Sequence, residues 1–345
     1  MGKTGTTRPM RTAIVATPEA SAVGLYSIMD ILASVVGRDW QMLHGEAPGA
    51  APFAPRLLSV DGAPYIGLND VEIRPHGSLA DMAAPDIVII PDLHLDPGQP
   101  FPNSYAQIAD WVRAAYDQGA VVASVCSGAL LLAETGLLDG QEATTHWGYC
   151  DVLARRHPGI RVRRERVLVP TGEGHRLITA GGASSWHDLL LYLIGRVAGA
   201  EEARRIAKLY LLQWHSEGQL PYAALTAGRN ADDKVVAECQ VWLADNYAVA
   251  NPVAGMVARS GLGERTFLRR FRAATGMSPR DYLQNLRIEE AKYLLETTQA
   301  SVDSIGAEVG YAEPSAFRHA FRKRVGISAS LYRRRFMAPA TTGDH

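Results

Sequence analysis

The sequence predicts two domains of different class: an α/β front domain with a mostly parallel sheet, and an all-α rear domain with two helix-turn-helix units. Three observations carry this. Short β-branched apolar runs alternate with helical segments through residues 12–217, the pattern of buried strands covered by helices. A helix–glycine–helix unit occurs twice after residue 233. The charge is also divided. From Asp233 onward there are 16 Lys and Arg against 12 Asp and Glu, which leaves 19 against 24 for the rest. An acidic front and a basic rear predict that only the rear meets a polyanion.

Taken in order, residues 1–11 contain Gly, Thr and basic residues with no apolar core behind them. They are expected to be a disordered lead-in and not a signal peptide. In the front domain, residues 12–217, strands are expected at Thr12–Thr17, Asp86–Ile90, Ala120–Val125, Arg166–Pro170 and Leu177–Ala180. Helices are expected at Leu25–Val36, Ser104–Gln118, Gly128–Glu134, Trp147–Arg156, Ser184–Ala198 and Ala200–His215. The stretch EGQLPYAALTAGRNADD, with Gly, Pro and Asn and no periodicity, marks a linker over residues 218–232. The domain with the helix–glycine–helix repeat then fills 233–336, and 337–345 is a tail.

Within the rear domain, VAGMVARSGLGERTFLRRFRAATGMSP (253–279) repeats as VDSIGAEVGYAEPSAFRHAFRKRVGIS (302–328). Val253, Ala258 and Gly261 match Val302, Ala307 and Gly310 at a shift of 49, and Phe267 and Phe271 match Phe317 and Phe321 at a shift of 50. Each copy is a short helix stopped at a glycine, then a second helix with two phenylalanines four apart on its buried face. The other face of that helix carries Arg265, Arg269 and Arg272 in the first copy. In the second it carries Ser315, Arg318, His319 and Arg322. Long donors on a second helix suit base edges and phosphates in a major groove. Residues 279–297 read as an amphipathic connector, with Arg287, Glu289, Glu290 and Lys292 on its outer side. Such a rod could set the two reading helices one DNA turn, ~34 Å, apart. A bundle with a merely basic surface explains one such unit far better than two.

Residues 235–336 thus resemble the AraC/XylS family of transcription regulators, with RIEEAKYLLETTQASVDSIGAEVGYAEPSAFRHAFRKRVGISASLYRRRF following that family's signature. The resemblance implies base contacts from Arg265, Leu268 and Arg269, and from Ser315, Arg318 and His319, with Arg322 nearer phosphate. Leu268 stands where a polar reader is common and would instead meet a thymine methyl.

The front domain's chemistry gathers in AVVASVCSGALLLAETGLLDG, 120–140. Cys126 sits on a sharp strand-to-helix turn, followed by Ser127 and Gly128, beside a helix N-terminus that favours a thiolate. ATTHWGY supplies His146, a candidate base. A lone Cys–His pairing has an equally ready explanation in packing. Trp147 reads as a packing residue, and Trp186–His187–Asp188 as a pocket rim or a simple helix start. Through VCSGALLLAETGLLDG, TTHW and VLVPTGEGHRLITAGG, residues 12–200 resemble the class I glutamine amidotransferase-like superfamily, in its PfpI-type branch. That resemblance implies a flavodoxin-like sheet and, in the enzymes of the branch, an acid contacting the elbow cysteine. Aligning YSIMDIL puts Gly24 at that acid's place, with Glu19 five residues earlier.

The expectation is therefore a sequence-specific transcription regulator whose front domain senses a small metabolite through Cys126, Ser127, His146 and Glu19 without catalysis. Nitrogen metabolites are candidates only because relatives of this architecture often sense them. The competing reading is a Cys-dependent amidase or hydratase with an appended DNA-binding domain. Expected partners are duplex promoter DNA, a second copy of the chain and RNA polymerase. Three cysteines at no zinc-ligand spacing predict no metal, no cofactor and a reduced, cytoplasmic protein. No apolar run approaches the ~18–20 residues of a membrane span.

Overall fold

A computed structural model describes residues 8–37, 41–42, 45, 49–96, 99–225 and 233–337. The chain divides between Gln219 and Leu220 into two compact units.

The first unit is built on a seven-stranded sheet. Its strands are β1 (Met10–Val15), β2 (Phe53–Ser59), β3 (Gly77–Ser78), β4 (Ile87–Ile90), β5 (Val121–Val125), β6 (Leu168–Thr171) and β7 (Leu177–Ala180). Their order is β3-β2-β1-β4-β5-β7-β6, with every pairing parallel except β6–β7. The central strands are buried on both faces, as IVII of β4 shows, because helices cover the sheet on either side. Those helices are α1 (Ala22–Ser34), α2 (Ser104–Asp117), α3 (Gly128–Glu134), α4 (Cys150–Arg156), α5 (Trp186–Val197) and α6 (Ala200–Leu209). One core runs through all of them.

Four expectations for the first unit and its boundaries need correction. The lead-in ends at Pro9 or earlier, because Met10 and Arg11 pair in register with Phe53 and Ala54. Strand β2 was not expected: FAPRLLS carries Pro55 and Arg56 in mid-run. The sheet tolerates the proline because β3 pairs only with Leu58 and Ser59, so Pro55 faces an open edge. Helix α6 stops at Leu209 and does not continue to His215, since Leu211 takes a left-handed φ of 55°. The linker is also shorter than expected. Gln219 is buried in the first unit and residues 220–225 pack onto the second, while 226–232 lie outside the described residues.

The second unit is helical: α7 (Lys234–Asn246), α8 (Pro252–Ser260), α9 (Glu264–Thr275), α10 (Pro279–Thr297), α11 (Val302–Glu308), α12 (Pro314–Val325) and α13 (Ala329–Phe336). It has two cores. Phe267 and Phe271 pack with Met256, Leu243 and Tyr282 in one; Phe317 and Phe321 pack with Ile305, Ile288 and Tyr332 in the other. Helix α10 contributes to both, so it is buried more widely than an amphipathic rod. Arg287 and Lys292, expected outside, are 9% and 7% exposed. Each is satisfied by backbone. Arg287 Nε donates to the Tyr247 carbonyl at 2.8 Å, and Lys292 Nζ donates to the Ala223 carbonyl at 2.8 Å.

Candidate functional site

In a parallel α/β sheet, ligands bind beyond the carboxyl ends of the strands, where the connections diverge. Here β1 leads to one side of the sheet and β4 and β5 lie on the other. The segments leaving these three strands converge. Ala20 bridges Leu93, and His94 N–H donates to the Glu19 carbonyl at 2.8 Å. After β5, Cys126 adopts φ 55°, a strained conformation for a residue with a side chain, and turns the chain into α3. The turn is tight enough that a Cβ on Gly128 would lie 2.3 Å from the Pro91 carbonyl oxygen.

Each expected site residue has a definite place. Cys126 is 7% exposed, and burial pushes its thiol up to about 11, opposite to the activation its position suggested. Ser127 is buried, and its hydroxyl both accepts from Leu93 N–H at 2.8 Å and donates to the Leu93 carbonyl. It staples the elbow to the segment after β4. The TTHW segment lies against the elbow, because the Thr145 hydroxyl donates to the Cys126 carbonyl at 2.7 Å. His146 caps a short turn, with Nδ1 accepting from Gly148 N–H at 3.1 Å, and burial lowers its pKa. A neutral imidazole that accepts at Nδ1 carries its proton on Nε2, so the free nitrogen is a donor and not a base. Glu19 accepts from the Tyr105 hydroxyl at 3.1 Å.

Sequence reasoning missed one buried acid near the elbow. Asp92 follows β4, is 5% exposed, and its charge is among the influences that raise the Cys126 thiol. Burial holds its own carboxyl above the usual carboxylate range, with the Ser21 hydroxyl working against that. The available signal was an acid directly behind the apolar run IVIIP, at the end of a central strand.

Among the described residues, His187, Asp188 and His215 form a group that could hold a metal. Their hydrogen bonds already account for them. His215 Nδ1 lies 2.7 Å from Asp188 Oδ2, His215 N–H donates to Asp188 Oδ1 at 2.9 Å, and His187 Nε2 lies 2.7 Å from the Gln213 carbonyl. The two imidazole rings stack on each other. The group ties the segment after α6 to the start of α5, and Trp186–His187–Asp188 reads as that anchor.

In the second unit, the turns between α8 and α9 and between α11 and α12 use glycines with φ of 66° and 90°. Gly310 is doubly constrained, since a Cβ there would sit 2.9 Å from the Ala248 backbone. Helices α9 and α12 each bury their phenylalanine pair and leave Arg265, Leu268, Arg269 and Arg272, or Ser315, Arg318, His319 and Arg322, exposed. The copies also differ in how a reader is held. Arg318 Nη2 lies 2.6 Å from both carboxylate oxygens of Asp303. At the matching shifts the first copy has Leu268 and Ala254, so the charged pair is replaced by an apolar one.

Comparison with known proteins agrees with both units. Residues 11–195 match the DJ-1/PfpI family, and residues 256–335 match a helix-turn-helix domain. Over 294 residues, 83% of this chain and 84% of the relative, the sequence is 26% identical to the HTH-type transcriptional regulator CdhR of Pseudomonas aeruginosa. It is 29% identical to the isonitrile hydratase of Pseudomonas putida over 150 residues, 44% of this chain and 62% of that enzyme. The crystal structure of a Vibrio parahaemolyticus protein described as a transcriptional regulator is similar in fold. Its TM-score is 0.50 at 17% identity, covering 60% of this chain and all of that one.

Proposed function

The chain belongs to the DJ-1/PfpI family through residues 11–195 and carries a helix-turn-helix domain behind them, and from this we propose that it is a DNA-binding transcription regulator of AraC type with a ligand-sensing front domain. The observation that carries the reading is the duplicated unit in which a buried phenylalanine pair presents an exposed, mostly basic face on α9 and again on α12. Arg265, Leu268 and Arg269 read one half-site, Ser315, Arg318 and His319 the other, and Arg272 and Arg322 lie nearest phosphate. The test is fluorescence anisotropy on an operator duplex selected from random DNA. Arg269→Ala and Arg318→Ala should each weaken specific binding by ~1–3 kcal/mol, and affinity should fall steeply with salt. Full affinity in both variants overturns the assignment of the readers.

The front domain senses a small molecule at the elbow, with Cys126, His146 and Asp92 about it and Glu19 beside Tyr105. A catalytic reading is supported by the similarity to isonitrile hydratase. Two features of the elbow weigh against it: a thiol held protonated by burial, and a His146 whose free nitrogen is a donor. An effector acts only if it binds two states of the protein unequally. The route we favour runs through Gln219, the last residue of the first unit. Its Nε2 donates toward the Thr145 carbonyl at 2.9 Å, the Arg166 carbonyl at 3.1 Å and Thr144 Oγ1 at 3.1 Å, beside the elbow. The next residues, Leu220–Leu225, are held on α10, where Leu225 N–H donates to Glu289 and Asn285 donates to the Leu225 carbonyl. A second copy of the chain and RNA polymerase complete the assembly we envisage at a promoter.

A further inference from the structure

Helix α1 passes the elbow with Gly24 facing the end of β4. A Cβ built on Gly24 would lie 2.2 Å from Asp92 Oδ1 and 3.0 Å from Ser21 Oγ. The carboxyl therefore occupies the space that any side chain at position 24 would need. The segment carrying it is pinned to the elbow on its other side: Leu93 is held by the Ser127 hydroxyl, and Pro91 abuts Gly128. Asp92 thus lies between the niche on α1 and the turn that carries Cys126.

We propose that Asp92 is the acidic partner of Cys126, delivered from β4 into the niche left by Gly24, and that it governs the reactivity of the elbow thiol. The physical argument is electrostatic. A carboxylate buried beside a thiol opposes formation of the thiolate, which is the nucleophilic form. The other titratable groups around the pair do not offset it. His94 Nε2 is 4.0 Å from Asp92 and its side chain is 64% exposed; His146 is kept neutral by burial; Glu19 is engaged by Tyr105; and the Tyr149 hydroxyl donates to the Leu95 carbonyl. A buried carboxylate whose nearest basic group is an exposed histidine 4.0 Å away costs stability, so its presence points to a role in the site. With Asp92 in place the elbow meets its ligand through hydrogen bonds, and covalent capture by Cys126 is suppressed. This deepens the sensor reading and rests on it for its meaning, yet the thiol can be assayed with no effector, so each can fail alone.

The experiment is alkylation of the full-length protein by iodoacetamide from neutral to alkaline pH, with each cysteine followed by peptide mass spectrometry. In Asp92→Asn, the profile of Cys126 should move to lower pH, with its rate at neutral pH rising about threefold or more, while the buried Cys150 is unchanged. A Cys126 profile that superimposes on wild type, or that moves only in step with Cys150, overturns the proposal. The niche is tested separately by melting temperature. Gly24→Asp should lower it by crowding Asp92, and the exchange Gly24→Asp with Asp92→Gly should restore it. An exchange variant as unstable as Gly24→Asp alone also overturns the assignment.

Discussion

Asp92 makes an opposite prediction for stability and for chemistry. Its folded pKa lies above its unfolded value because burial disfavours the charge, so its stabilising contribution is present at low pH and is lost as pH rises through the folded pKa. Asp92→Asn, neutral at every pH, should therefore melt higher than wild type at neutral pH, with the gap closing below about pH 4, which calorimetry across pH would measure. His146 works in the other direction. Burial lowers its pKa, so the unfolded chain takes up its proton first, and stability should fall as pH drops through ~6.5. A His146→Asn protein should lose part of that slope. On the DNA side, Asp303 holds Arg318 by one nitrogen against two oxygens, fixing its direction before DNA arrives. Asp303→Ala should leave or raise affinity for random duplex, since a negative charge is removed, and reduce discrimination among base pairs at the Arg318 half-site. Competition binding with single-base-pair variants measures this; unchanged discrimination would mean that Arg318 is positioned by DNA alone.

At the scale of elements, the turn glycines and the phenylalanine pairs were readable because each expresses a local rule: a left-handed stop and a four-residue period. The prediction that follows is local too. Gly310→Ala, which forces a side chain into φ 90° and against Ala248, should cost roughly 1–3 kcal/mol in chemical denaturation. Strand β2 was missed because Pro55 and Arg56 break the apolar run, and only its edge position permits them. The end of α6 was misjudged because the apolar residues Tyr210–Leu212 continue the pattern past the point where the helix stops. The connector α10 was expected to show one buried face. Two cores and residues 220–225 pack around it, so Arg287 and Lys292 are enclosed by contacts distant in sequence.

For the whole molecule, the decisive feature is where one unit ends. Gln219 is fixed beside Thr144 and Thr145 while the following residues are fixed on α10, and the route we propose runs through this short stretch of chain. Gln219→Ala should retain DNA affinity and any effector binding but lose the change in affinity that the effector causes. Anisotropy with and without effector reads this, and intact coupling would remove Gln219 from the route.

The sequence by itself determined the two classes of domain, the duplicated reading unit and the elbow cysteine, because periodicity, glycine stops and a strand–Cys–helix turn are all encoded within a few neighbouring residues. Only the tertiary structure decided which carboxyl accompanies that cysteine. Position 24 is glycine, and no local pattern says that Asp92, 68 residues later, fills the space it leaves; the folding of α1 over the end of β4 does that. The same holds for the state of the elbow. A helix N-terminus argues for a thiolate from sequence alone, whereas the burial and the neighbouring charge that oppose it exist only once the strands are brought side by side.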